Sequence, residues 1–311
     1  MMDSEVDKIP VLVICGPTAS GKTALALSLV EKFPVEIISA DSRQVYRRMD
    51  IGTAKATQQE QSIVPHHMID LIDPDQNFSV ANFVDQARSH IFNIAARGKI
   101  PCIVGGTGLY IRALLGGLAD LPTADPELRQ QLHQREQTEG AGSLFRELQR
   151  VDPVAAAAIH PNNLIRIVRA LEVCLVSGRK ISELKAEHGF SEQPYRVLQL
   201  APDLLRDELY TRIGQRTEQM LSSGLIDEVR ELVRDYSSEL KALQTLGYRE
   251  VVRYLNSEID EELMCDEIKK YTRHYAKRQL TWFRKEADII WVDSSIKSGK
   301  VIKCIDDFLF E

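Results

Sequence analysis

Gly16, then four residues, then Gly21-Lys22-Thr23 in the stretch GPTASGKT is the spacing of a loop that wraps a polyphosphate. Gly16, Pro17, Thr18, Ala19, Ser20 and Gly21 would form the curl, with backbone N–H groups converging on phosphate oxygens at the positive end of the helix that follows. Lys22 would bring a mobile charge to the same oxygens, and Thr23 a hydroxyl for Mg2+. Nucleotide hydrolysis, phosphoryl transfer and loss of a diphosphate all use such a cradle, and ATP fits it as other polyphosphates do. The second chemically suggestive residue is Asp41, in ISADSRQVYRRMDIGTAK (38–55). A carboxylate at a strand end beside a phosphate loop is placed to accept a proton. Its blander roles are to cap the turn that follows or to hold Mg2+ through water.

Those residues meet only if the elements around them form a particular frame. The runs VLVIC (11–15), VEIIS (35–39), HMIDLI (67–72) and PCIVGG (101–106) are short, β-branched and bounded by Gly, Pro or Asp, which predicts strands. Helical periodicity separates the first two and precedes the last, as in a parallel sheet covered by helices. The phosphate loop then follows a predicted strand and opens a predicted helix, the context its motif requires. From about 125 to 190 the pattern is helical with no convincing strand. YRVLQLAP (195–202) reads as a returning strand, the stretch from Asp207 to Val233 as a helix broken at Gly224, and IIWVD (289–293) as a last strand. The expected fold is α/β: a P-loop NTPase-like parallel sheet core with an inserted all-helical domain. Residues 1–120 form the first part of the core, 121–194 the insertion, and 195–311 the second part with a basic C-terminal helix.

The chain of 311 residues carries a net charge of -6, which argues against a uniformly basic nucleic-acid binder but permits a local basic face. The insertion balances basic against acidic residues, so only the placement of particular arginines would make it an RNA clamp. KKYTRHYAKRQLTWFRK (269–285) instead has no acid and interleaves its basic residues with Tyr271, Tyr275, Trp282 and Phe283. That stripe is suited to an RNA backbone, or else is an amphipathic helix with a solvated basic face. Cys15, Cys102, Cys174, Cys265 and Cys304 are far apart and lack a CxxC pair, so reduced thiols are expected. His66 and His67 would point to opposite faces of a strand, and no Cys or carboxylate cluster completes a metal site with them, so a structural role is expected. The acidic start, and the lack of an apolar stretch near the about 18 residues of a membrane span, lead to an expectation of a cytoplasmic protein.

Several blocks together carry a resemblance. GPTASGKT, ADSRQVYRRMDIGTAK, VPHHMID (64–70), GGTGLYIRALL (105–115), RIVRALEV (166–173), GLIDEV (224–229) and QTLGYRE (244–250) resemble the tRNA dimethylallyltransferase family, in order and across almost the whole chain. The phosphate loop is shared with many enzymes, whereas the other blocks are specific. The resemblance implies transfer of a five-carbon group from dimethylallyl diphosphate to the exocyclic amine of the adenosine just 3′ of the anticodon in tRNA. The loop would then hold a leaving diphosphate with Mg2+, and Asp41 would be the general base. Arg212 or Arg216, one turn apart on one helical face, would reach the diphosphate. The tRNA anticodon stem-loop would meet Asp41, Ser42, Arg43, Gln44, Thr107, Arg166, Arg169, Gln244, Gly247, Tyr248, Arg249, Lys277, Arg278 and Arg284. The glycines flanking Thr107 would allow close backbone approach to the nucleotide, and Thr107 has a second reading as the cap of a tight strand-to-helix turn. Ala56 stands where family members often have proline, and LAPDLLRDELY is less typical than its surroundings. The end at Glu311, without the added zinc finger of eukaryotic members, resembles the bacterial form, and a monomer is expected. A P-loop kinase of a small metabolite, a prenyltransferase of free adenine nucleotides and a non-catalytic RNA-binding module remain as alternatives. No NKxD-type base reader supports a GTPase.

Overall fold

A computed structural model describes residues 8–293 and 299–310. The first seven residues and Glu311, on which the expectations about a leader and a terminal zinc finger rest, lie outside the described residues.

The chain divides into two compact units, residues 1–115 with 194–311, and residues 116–193. In the first unit the order is β1 (Ile9–Cys15), α1 (Lys22–Leu29), β2 (Val35–Ser39), α2 (Gln58–Ile63), β3 (His66–His67), α3 (Val80–Ala96), β4 (Ile100–Gly105) and α4 (Gly108–Gly116). The helical unit follows with α5 (Pro126–Glu139), α6 (Ser143–Val151), α7 (Pro153–Ala158), α8 (Leu164–Ser177) and α9 (Ile181–His188). The chain then returns through β5 (Tyr195–Asp203), α10 (Arg206–Ser222), α11 (Leu225–Asp235), α12 (Tyr248–Leu255), α13 (Glu261–Phe283), β6 (Ile289–Asp293) and α14 (Gly299–Phe310).

The strands form one parallel sheet in the order β3-β2-β4-β1-β5-β6. The central strands are buried on both faces, which is why VLVIC is a continuous apolar run and VEIIS is fully buried with Glu36 and Ser39 as its polar members. One face packs Leu12, Ile14, Val35, Ile37 and Val104 against Leu25, Ala26 and Leu29 of α1 and Val301 and Ile305 of α14. The expected strand over 67–72 is much shorter. Met68 and Asp70 take φ of 66° and 53°, outside the extended region, so pairing stops at His67 and resumes only as an isolated bridge from Ile72 to Tyr46. The same turn lets Asp70 share the Lys55 ammonium with Asp50, at 2.5 Å each.

His67 and His66 face opposite ways. His67 Nε2 lies 2.8 Å from Glu36, near the start of β2, while His66 lines a cavity described below. The Glu36 side chain is 3% exposed and accepts hydrogen bonds from Arg97 at 2.6 Å and Lys99 at 2.8 Å. Burial alone would push this carboxyl up, but the bonds from Lys99, His67 and Arg97 together outweigh it and hold Glu36 at about 2. Stabilisation from this group is therefore full above the ordinary value of 4.5 and is lost as pH falls towards 2. Glu36→Gln is expected to lower Tm at pH 7 by about 2–6 °C and to flatten the fall in Tm between pH 5 and 3. Thermal melts of both proteins across that range check it.

The helical unit has its own core of Leu132, Leu144, Leu148, Ile167, Val168, Leu171 and Ile181. Three of its helices start at side-chain caps: Asp125 caps α5 with Pro126 in the first turn, Asp152 caps α7 with Pro153, and Asn163 caps α8. Glu172, buried in α8, accepts from the Asp125 N–H and pairs with Arg129 and Arg169. Among the described residues no helix is long and apolar enough to cross a membrane, and all five cysteines are free.

Candidate active site

Because β2, β4 and β1 are neighbours and parallel, three loops leave the sheet side by side at its carboxyl edge: the phosphate loop after β1, residues 40–44 after β2, and residues 106–107 after β4. Glycines let them come so close. A Cβ on Gly105 would sit 2.2 Å from the Ala40 carbonyl oxygen, one on Gly106 2.3 Å from Gln279 Nε2, and one on Gly108 2.2 Å from Trp282 Nε1. The glycines of GGTG thus make room for protein neighbours rather than for a nucleotide.

The phosphate loop is wound as its motif requires, with Gly21 at φ 91° and the non-glycine Ala19 at φ 62°. Lys22 Nζ donates to the Pro17 carbonyl at 2.6 Å, and Thr18 N–H donates to Gln279 Oε1 at 2.8 Å. Ser20 Oγ is buried without a hydrogen-bond partner. α10 and α13 pack across the loop through Leu209, Ile213 and Ala276, with Ala19 against them. Both candidate arginines reach the loop, but at different places. Arg216 lines the cavity and donates from Nη1 to Thr18 Oγ1 at 3.3 Å, whereas Arg212 pairs with Glu208 at 2.7 Å and lays its Nη1 over Gly21, 3.2 Å from where a Cβ would sit.

A cavity of about 610 Å3 in the first unit is lined by Thr18, Lys22 and Thr23, by Asp41 through Gln44, by Arg216, by Gln244 through Arg249, and by Tyr271, Tyr275 and Arg278 of α13. Asp41 Oδ1 accepts from the Arg43 N–H at 2.8 Å, so the residue does cap its turn. Its other oxygen makes no hydrogen bond among the described residues and remains available to accept a proton. Asp41 is bracketed by Thr107: the Thr107 N–H donates to the Ala40 carbonyl, and Thr107 Oγ1 accepts from the Ser42 N–H, both at 3.1 Å. Thr107 also opens α4 through its carbonyl.

Electrostatics couple the cradle to the acid. Desolvation first, then Arg216, pushes the Lys22 ammonium down from 10.5 to about 8, with Asp41 and Cys15 partly opposing. An anion in the loop favours the charged form, so diphosphate affinity is greatest where Lys22 is already protonated and falls as pH rises through about 8. Calorimetric titration with inorganic diphosphate at pH 7 and pH 9 is expected to show this loss of affinity. In Lys22→Met the affinity is lower throughout and the Lys22 share of the pH dependence disappears. Burial likewise lifts the Tyr275 hydroxyl to about 12, assisted by Asp41, so it stays protonated in the cavity.

The 40–55 segment is held from behind, first by a residue that sequence reasoning left without a role. Glu228 of α11 accepts the N–H groups of Asp50, Ile51 and Gly52 at 3.0, 2.8 and 3.2 Å, together with the Tyr248 hydroxyl at 2.6 Å. Tyr248 lines the cavity as part of its wall: it is fully buried, and a Cβ on Gly52 would fall 2.4 Å from its ring. Gln44 closes the same segment by accepting from Ser39 Oγ and donating to the Ala54 carbonyl. Arg249, beside Gly247, pairs with Glu250 and stacks over Tyr271 at 5.0 Å, and Gln244 donates to the Ser238 carbonyl. On α13 the side chains of Lys277, Arg278 and Arg284 are exposed, while Ala276, Gln279 and Phe283 are buried, so the stripe has both a packed and a basic face. In the helical unit Arg166 is exposed and Arg169 is tied to Glu172 and the Pro122 carbonyl. Burial, then Arg166 and Arg169, push the Lys185 amine down, which marks a basic patch there.

The IPP transferase family model matches residues 44–286 and the isopentenyl transferase model residues 9–69. The chain is 51% identical to tRNA dimethylallyltransferase 1 of Syntrophotalea carbinolica over 100% of its own length and 99% of that protein. It is 47% identical to tRNA dimethylallyltransferase of Geobacter metallireducens, covering 98% of this chain and 99% of the relative. Among solved structures, the full-length tRNA isopentenylpyrophosphate transferase of Bacillus halodurans aligns at TM-score 0.71 and 41% identity, covering 97% of this chain and 95% of that one. A eukaryotic dimethylallyltransferase acting on tRNA aligns at TM-score 0.84 and 29% identity, covering 96% and 79%. With a family model spanning most of the chain and half-identical relatives over its full length, the chain belongs to the tRNA dimethylallyltransferase family.

Proposed function

We propose that this enzyme transfers the dimethylallyl group of dimethylallyl diphosphate to the exocyclic amine of the adenosine on the 3′ side of the tRNA anticodon, releasing diphosphate. One observation carries the reading: a single cavity holds Asp41 together with Lys22, Thr23 and Arg216, a proton acceptor facing a cradle for a leaving group. The adenine amine is a weak nucleophile because its lone pair is delocalised into the ring. As its nitrogen bonds to the first carbon of the donor, the carbon–oxygen bond breaks and the electron pair leaves with the diphosphate. The amine proton passes to the free oxygen of Asp41. Lys22 and Arg216 stabilise the charge that grows on the departing group.

Mg2+ fits this donor set. Among the described residues no cluster of His, Cys, Asp or Glu forms a protein cage for a metal, so the ion would take the Thr23 hydroxyl and otherwise diphosphate oxygens and water. When bound, it would supply further charge neutralisation to the leaving group.

The target base must leave its stack to reach Asp41, at a cost of a few kcal/mol. Ser42, Arg43, Arg249 and Arg278 line the cavity and would hold the extruded nucleotide and its neighbours. Lys277 and Arg284 on α13, and Arg166 in the helical unit, would meet phosphates. The enzyme would act as a cytoplasmic monomer.

The test is incubation with Mg2+, labelled dimethylallyl diphosphate and unmodified tRNA, with AMP and ATP as parallel acceptors. Label is expected in tRNA at the adenosine beside the anticodon, with one diphosphate released per transfer. Label only in free nucleotide would remove RNA as the substrate, and phosphate transfer without prenyl transfer would restore the kinase alternative.

A further inference from the structure

Gln279 sits on α13 among the basic residues, yet it is 6% exposed and points inward. Its amide hydrogen-bonds two loops at once: Oε1 accepts from the Thr18 N–H of the phosphate loop at 2.8 Å, and Nε2 donates to the Gly106 carbonyl at 2.8 Å. The orientation is unambiguous, since an N–H can only donate and a carbonyl can only accept. The approach is close on both sides, as a Cβ on Gly106 would lie 2.3 Å from Nε2 and 3.3 Å from the Gly16 carbonyl oxygen.

Gly106 precedes Thr107, whose backbone and hydroxyl hold the residues on either side of Asp41. The bonds run without a break from the loop that would hold the donor, through Gln279 and Thr107, to the loop that carries the acid. We propose that Gln279 is a positioning residue that fixes the diphosphate loop relative to Asp41. This inference rests on the reading of the cavity as the prenyl-transfer site. In-line transfer needs the donor carbon, acceptor nitrogen and base in one geometry, and a displacement of about 1 Å costs on the order of 10²-fold in rate. A glutamine in this place meets both demands at once. A carboxylate accepts from Thr18 but has no hydrogen to donate to Gly106, and an apolar isostere does neither.

Gln279→Met and Gln279→Glu, whose side chains have nearly the same shape, test the proposal in single-turnover transfer with tRNA and dimethylallyl diphosphate. Gln279→Met is expected to slow the single-turnover rate by about 10–100-fold at saturating substrates, with tRNA Kd within about threefold of the parent. Gln279→Glu, keeping one bond of two, is expected to fall between. Circular dichroism and melting curves identify folded preparations of both. A Gln279→Met rate within twofold of the parent overturns the proposal, as does a loss of tRNA affinity that matches the loss of rate, which would make Gln279 an RNA contact. A Gln279→Glu rate equal to the parent's overturns the bridge to Gly106. Asp41→Asn, assayed alongside, separates the two levels: if it transfers at the parental rate, the reading of the site fails whatever Gln279 does.

Discussion

Asp41→Asn is expected to reduce the single-turnover rate of prenyl transfer by about 10³-fold while leaving tRNA affinity within about threefold. Asparagine keeps an oxygen for the Arg43 N–H that Oδ1 accepts at 2.8 Å, so the turn and its brackets from Thr107 persist. What it removes is the second oxygen, the only basic site at that position with no hydrogen bond among the described residues. The change therefore isolates proton acceptance from loop architecture, which Asp41→Ala cannot do. Single-turnover rates and filter binding measured on the same preparations decide the matter. Equal losses of rate and affinity would show that Asp41 holds RNA rather than a proton.

Arg216→Gln is expected to lower kcat/KM for dimethylallyl diphosphate by about 10²–10³-fold, the effect typical of removing one donor from a site of developing negative charge. Arg216 also carries an independent signature. It is the largest charge that depresses Lys22, so its loss should raise the Lys22 pKa above about 8 and carry the alkaline fall in diphosphate affinity to higher pH. Titration of inorganic diphosphate between pH 7 and pH 10 in both proteins checks the direction. Arg212→Gln, which removes a pair with Glu208 and a guanidinium nitrogen beside Gly21 but no group lining the cavity, is expected to lower kcat/KM less than Arg216→Gln does.

Local rules read much of this molecule from its sequence. The parallel α/β core was legible because strands buried on both faces must be short apolar runs and because Gly-Lys-Thr needs a strand before it and a helix after it. The break at Gly224, where φ is 98°, was legible for the same reason: it depends on the residue and its immediate neighbours. Where a distant or conformational choice intervened, local reading fell short. HMIDLI is a short, mostly apolar run of strand length, yet Met68 and Asp70 turn left-handed so that Asp70 can reach Lys55.

By itself the sequence determined that a phosphate cradle and an acid-bearing loop exist, and its ordered motifs identified the family. Only the tertiary structure decided which groups meet there. Arg212 and Arg216 share a helical face, and no spacing rule distinguishes residues one turn apart. The seating of Leu209 and Ile213 against Ala276 sets how far α10 advances over the loop, and that places Arg216 on Thr18. Gln279 and Glu228 carried no signal beyond a polar residue within a motif, because their partners lie 261 and up to 178 positions away. A hydrogen bond between such groups is a property of how the elements pack, and periodicity along one element contains no record of it.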